Sequence, residues 1–275
     1  MKIFLIILFS GASHFLFTQN DFKWKLTKSF DWNSPYNISS WDVDLFNNIY
    51  IANESSLTKL NLNGESLFSQ SIKSVGEISS IHMINPMKMS IFSFDYQTNC
   101  FIDNTLTIID KCIDLTDLNI QIANKISISN KRNRAWIWDS NNSNLIQISM
   151  TQPIEIISKS SNLSEIIKVK RPVFMEEIEN HLYLFDDKKT LFIFDLFGAL
   201  IHEINDFSMN ALLAKNNTKL WSIENQVLYR FEDDFSKTSI AKIPIDNIDN
   251  FKLSENYIYI QSNKSIHIYS IDKKK

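Results

Sequence analysis

Six copies of a four-strand unit, one unused strand near the N-terminus and few helical stripes predict an all-β fold, a six-bladed β-propeller of four-stranded antiparallel blades. The copies are marked by segments in which four strand-like residues close on a polar one: 49–53 (IYIAN), 91–95 (IFSFD), 135–139 (AWIWD), 182–186 (LYLFD), 220–224 (LWSIE) and 258–262 (IYIQS). Their polar ends lie 42, 44, 47, 38 and 38 residues apart. That is the length of chain a four-stranded blade consumes.

Each marked segment reads as the second strand of its blade. The first strands precede it at 41–44, 80–84, 126–129, 173–176, 211–214 and 251–254, with the period-2 alternation of a half-buried strand. Third strands follow a short polar turn at 57–62, 145–148, 191–194, 227–231 and 266–271; residues 100–102 are the weakest copy. Outer strands are expected at 66–70, 106–109, 154–157, 200–204 and 239–243. The sixth unit runs out of chain after 271, while residues 22–28 (FKWKLTK) alternate without a fault before the first blade. An open ring would expose two apolar faces, so the N-terminal strand, 22–30, is expected to complete the last blade.

Composition narrows the chemistry. Only four glycines occur, at positions 11, 64, 76 and 198, where average usage of about 7% would supply roughly nineteen. No two are close enough for a P-loop or dinucleotide fingerprint, and Gly-x-Ser-x-Gly is absent. With a net charge of -3 and no basic stripe, no nucleic-acid partner is expected. Two cysteines and five scattered histidines make no four-ligand zinc set, so neither a metal nor another cofactor is expected.

Residues 1–19 begin Met1-Lys2, continue through an apolar run and read as a signal peptide, with residues 20–275 as one domain. Cleavage is the favoured reading; if uncleaved, this segment is the one expected contact with the membrane. The expected location is therefore the periplasm or cell envelope, where Cys100 and Cys112 are free to form a disulfide or to remain two small buried side chains.

Residues 138–148 (WDSNNSNLIQI) resemble the NHL-type propeller unit, in which a strand ends in Asp and an Asn-containing turn leads to the next. Residues 194–201 (FDLFGALI) and 60–67 (LNLNGESL) are similar to that family's glycine turn before the outer strand. The pattern extends over 22–272 and is closer to small exported propellers of Bacteroidota-type genomes. The resemblance implies recognition of protein, RNA or ligand in most members and lyase or hydrolase chemistry in a few.

Two groups of residues are candidates for a site. Asn53, Asp95, Asp139, Asp186 and Glu224 end the second strands, which places them on one rim, either as an acidic binding ring or as caps of their own turns. Asp42, Asp44, His82 and Glu176, with Ser127, Ser129 and Glu177, belong to the first strands and therefore to the axis. Aromatics in turns, such as Phe197, Phe207 and Phe235, suit either a binding face or packing under loops. The favoured function is a non-enzymatic scaffold that presents a rigid face to another cell-envelope protein. The alternatives are a small ligand or sugar in the axial channel, and a hydrolase or lyase using channel carboxylates. A deep axial pocket with converging polar groups would favour the latter two; a plugged axis with an apolar rim would favour the scaffold.

Overall fold

The structure, a computed structural model, describes residues 23–31, 37–54, 56–167, 169, 171–216 and 218–272. The expected signal peptide, 1–19, lies outside the described residues. After strand β1 (Lys23–Asp31), the chain builds six four-stranded sheets. Blade one holds β2 (Ser40–Val43), β3 (Ile49–Asn53), β4 (Ser56–Leu60) and β5 (Ser66–Ser71), and blade two β6 (Ser80–Asn85), β7 (Lys88–Ser93), β8 (Thr98–Asp103) and β9 (Ile108–Asp114). Blade three holds β10 (Ala123–Ile128), β11 (Arg134–Asp139), β12 (Asn144–Ser149) and β13 (Ile156–Lys159), and blade four β14 (Phe174–Ile178), β15 (His181–Phe185), β16 (Leu191–Asp195) and β17 (Leu200–Ile204). Blade five holds β18 (Leu212–Asn216), β19 (Lys219–Glu224), β20 (Val227–Phe231) and β21 (Lys237–Lys242). Blade six holds β22 (Asn250–Leu253), β23 (Tyr257–Ser262), β24 (Ser265–Asp272) and, as its outer strand, β1. Helical turns are confined, among the described residues, to Lys73–Val75 and Leu115–Leu118.

The first strand of each blade faces the axis and the fourth faces solvent. β3 is buried at every residue and β5 exposed at every residue of the same sheet. Six apolar clusters, one per junction between neighbouring blades, form the core. Blade six meets blade one through Trp41, Ile49, Ile51, Tyr259, Ile266 and Ile268. The Tyr259 hydroxyl donates to Asn47 Oδ1 at 2.8 Å across the same seam. β1 pairs with β24 in antiparallel register from Lys23 opposite Asp272 to Asp31 opposite Ser265, so the ring is closed by strand exchange between chain ends.

Several boundaries differ from the alternation pattern by a few residues, and at three of them a turn claims residues that look strand-like. In blade two the second strand stops at Ser93, since Ser79 Oγ accepts from the Phe94 N–H and the Phe94 carbonyl takes the Gln97 N–H. The outer strand there begins at Ile108 rather than 106, because Asp103 Oδ1 accepts from the N–H groups of Thr105 and Thr107 and folds the segment into a turn. In blade three the outer strand begins at Ile156 rather than 154. The Ser149 N–H bonds to the Glu155 carbonyl, which keeps the turn open to that point.

The turn into the outer strand has the same form in four blades. The fourth residue donates its N–H to the carbonyl of the first in Asn61–Gly64, Asp103–Leu106, Asp195–Gly198 and Glu232–Phe235. That fourth residue is left-handed throughout, with φ of 81° at Gly64, 69° at Leu106, 85° at Gly198 and 63° at Phe235. Two blades thus place a large apolar side chain where glycine is cheapest. Leu106 compensates by burying itself in the core between blades one and two, and Phe235 by stacking on His202 with ring centroids 5.4 Å apart.

Cys100 and Cys112 form a disulfide. β8 and β9 lose register beside it, Asn99 facing Ile113 and Phe101 facing Ile109, with Asp110 at φ 63° inside the bulge. The covalent link therefore holds the two strands together where the ladder of hydrogen bonds is broken.

Candidate axial site

The six inner strands enclose a cavity of about 1360 Å³ along the axis. Pairing with the second strands shows which residues share a depth. Asp42, His82, Ser127, Glu176 and Lys252 stand opposite Tyr50, Ser90, Trp136, Tyr183 and Tyr259 respectively, and so form one layer at mid-depth. Blade five contributes Ala214, opposite Trp221.

This layer is largely neutralised from within. Lys252 Nζ lies 3.4 Å from Asp42 Oδ1. His82 Nδ1 lies 3.4 Å from Glu176 Oε1, reaching past blade three, and Ser127 donates to Glu176 Oε2 at 3.2 Å. Burial alone would raise the Glu176 carboxyl. The hydrogen bond and charge of His82, helped by Lys215 and Lys252, outweigh burial and hold it down at about 2.

Part of the polar lining serves the sheet edges. The inner edges of blades two and four present N–H groups that no strand can pair, and side chains of the preceding blade take them. Asp42 Oδ2 accepts from the Met83 N–H at 3.0 Å and Ser40 Oγ from the Ile81 N–H at 3.1 Å. Ser127 Oγ accepts from the Glu177 N–H at 3.1 Å. Glu177, fully buried, accepts from Trp136 Nε1 at 2.6 Å and from the Asn130 N–H at 2.9 Å. Glu176 and Glu177 thus point to opposite faces, one to the axis and one into the junction of blades three and four.

Asp44 also lines the cavity, but its oxygens are used in its own turn, by the N–H groups of Phe46 and Asn48 and by the Tyr50 hydroxyl at 3.0 Å. Burial, then the negative charge of Asp44, pushes the Tyr50 phenol up. Ser129 is buried lower in the lining, accepting from the Lys131 N–H.

The five residues expected at the second-strand ends lie one per blade: Asn53, Asp139 and Glu224 close their strands, Asp186 follows β15, and Asp95 lies two residues beyond the end of β7 at Ser93. Asp139 is buried and accepts from the Asn141 N–H and from Asn142 Nδ2. Asp186 accepts from the Thr190 N–H at 2.7 Å, and Asn53 from Ser56 Oγ. Glu224 takes the Ser208 N–H, Ser222 Oγ and Lys237 Nζ. Asp95 stands exposed in its turn. The other four are engaged within their own blade or crossover. Among the described residues, no three His, Cys, Asp or Glu side chains gather to hold a metal ion.

Three lysines of the cavity, Lys125, Lys215 and Lys252, do not follow from a search for catalytic carboxylates and histidines. Alternation carries the signal for two of them, since Lys125 is two residues from Ser127 and Lys252 lies within the sixth first strand. Lys215 donates to the Glu177 carbonyl at 2.8 Å.

Closed ring, blade count and axial lining define a six-bladed β-propeller. No protein-family model matches the sequence, and no curated protein does. Solved structures match in fold. The WD40 domain of Neurospora crassa Pan2 superposes with a TM-score of 0.65 at 9% identity over 92% of this chain and 96% of that one. A catalytically inactive virginiamycin B lyase from Staphylococcus aureus, solved with quinupristin, gives 0.61 at 12% identity over 91% and 99%. PorZ from Porphyromonas gingivalis gives 0.52 at 8% identity, over 90% of this chain and 39% of its own.

Proposed function

We propose that this protein is an exported propeller of the cell envelope that works by binding and not by catalysis, as a scaffold for another envelope protein. The observation that carries the non-catalytic reading is the internal pairing of the axial carboxylates. A general acid or base works best with a pKa near the operating pH. Glu176 is held at about 2, and Asp42 is engaged by Lys252 and the Met83 N–H. Large apolar side chains remain for a partner: Leu45 and Phe46 on the first-to-second turn of blade one are 77% and 71% exposed, and Met87 on the same rim of blade two is 60% exposed. PorZ, described as a bacterial surface component of a secretion system, supports an envelope setting. A resemblance to NHL-type propellers, and to the small exported propellers of Bacteroidota-type genomes, belongs to the same proposal, as does a cleaved signal in residues 1–19.

Crosslinked pull-down from the native envelope tests the scaffold. The expected result is one dominant partner with the wild type, lost when Leu45, Phe46 and Met87 are all changed to Ser. Recovery of no partner, or equal recovery with the triple variant, overturns this assignment of the rim.

A second reading, a small ligand in the axial channel, is favoured by the cavity itself, which is deep and receives polar side chains from several blades.

A further inference from the structure

Among the lysines that line the axial cavity, Lys125 has no counterpart. Lys125 stands opposite Trp138 in β11, one layer from Ser127 toward the rim that carries the second-strand ends. Among the described residues its ammonium makes no hydrogen bond or ion pair, whereas the other cavity lysines are engaged. Lys252 pairs with Asp42, Lys215 and Lys189 donate to carbonyls, and Lys88 sits over the Phe101 ring. Burial first, then the charge of Lys252 on the opposite side of the ring, lowers the Lys125 pKa against the weaker pull of Glu176. Lys125 in blade three and Lys252 in blade six stand on opposite sides of the ring, and of the two only Lys252 has an ion-pair partner.

The surroundings specify more than charge. Ser40, Ser80 and Asn250 occupy the same depth as Lys125 in blades one, two and six, opposite Ala52, Phe92 and Gln261. Ser40 Oγ already accepts from the Ile81 N–H, and Asn250 Oδ1 from the Phe251 N–H. Ser80 Oγ is already hydrogen-bonded to His82 Nε2 at 3.2 Å, so the Ser40 hydroxyl and the Asn250 amide are the groups that keep a donor for a ligand. Blades four and five present Phe174 and Leu212 at that depth, with Val173 beside them, 48% exposed. One wall is therefore apolar and the other rich in donors, with a cation between.

We propose that the outer half of the axial cavity binds an amphipathic organic carboxylate, its charged end on Lys125 and its apolar body on Val173, Phe174 and Leu212. The proposal rests on the small-ligand reading of the cavity. An uncompensated ammonium and spare N–H and O–H donors select an anion, and the apolar wall selects a ligand with a hydrocarbon part over a bare inorganic ion.

Titration calorimetry with octanoate, octanamide and inorganic phosphate tests this on the wild type, Lys125→Met and Lys125→Arg. The expected result is octanoate binding at least ten-fold tighter than octanamide, no measurable phosphate binding, loss of the octanoate preference in Lys125→Met and its recovery in Lys125→Arg. Thermal melts of the variants verify folding; removing an uncompensated charge leaves Lys125→Met no less stable than the wild type. Octanamide binding as well as octanoate overturns the anion assignment and leaves the small-ligand reading standing. Phosphate binding as tightly as octanoate overturns the apolar part. No binding by any of the three overturns the proposal, and a soak with a fragment mixture that leaves the axis empty brings down the small-ligand reading with it.

Discussion

At the scale of single residues, the demanding positions are those where one side chain serves two neighbours. Glu177 satisfies an indole N–H and a main-chain N–H inside the junction of blades three and four. Glu177→Ala orphans the buried Trp136 donor, and an expected loss of about 2–4 kcal/mol should appear in urea unfolding. Gly64 is demanding for the opposite reason, that no side chain fits there. Its φ is 81°, and a Cβ there would lie 2.8 Å from the Phe30 ring of β1. Gly64→Ala is expected to cost about 1–3 kcal/mol and to weaken the attachment of the closing strand. Glu176 controls the acid limb of stability. Its folded value of about 2 lies below its ordinary 4.5, so its contribution is complete above about 4.5 and is lost as the pH falls toward 2. His82, Lys215 and Lys252 face it favourably. Glu176→Gln should therefore flatten the fall in melting temperature between pH 5 and 2. The alternation pattern made the axial side of Glu176 legible; it contained no hint that a histidine two blades earlier would reach it.

Among elements, the blade junction is the unit that matters, because each sheet buries its faces only against its neighbours. Blade two shows how one weak element is rescued. Its third strand is the poorest match to the repeat, its ladder to β9 is bulged, and the Cys100–Cys112 link spans that bulge. Replacing both cysteines with Ser should lower stability by about 3 kcal/mol, and amide exchange should rise most in β9, the strand whose ladder to β8 is interrupted beside the link. The turn into the outer strand carries a related lesson. Glycine in blades one and four made the turn visible in the sequence, whereas Leu106 and Phe235 hid it in blades two and five. Their hydrophobic burial outweighs the left-handed backbone, and a search by residue type cannot see that trade.

At the scale of the molecule, closure is the decisive event. β1 lies at one end of the chain and β24 at the other, yet they pair over the whole of β24. Removing residues 1–31 should expose the edge of β24 and leave a protein that melts at lower temperature and self-associates, as light scattering would report. Closure also creates the axial cavity, since six inner strands must meet around a space too wide for their side chains to fill. The polar residues there answer two needs at once: capping unpaired sheet edges and balancing charge across the ring.

What the sequence determined by itself is the architecture. Alternation, blade length and the match between a leftover strand and a missing one are local or countable properties, and burial of alternate residues enforces them. What the tertiary structure alone decided is the partnership of charges: His82 with Glu176, Lys252 with Asp42, and Lys125 with none. The paired residues are 94 and 210 positions apart in the chain, and only the ring brings them within a few ångströms, where Coulomb energy and desolvation settle which ions are already satisfied.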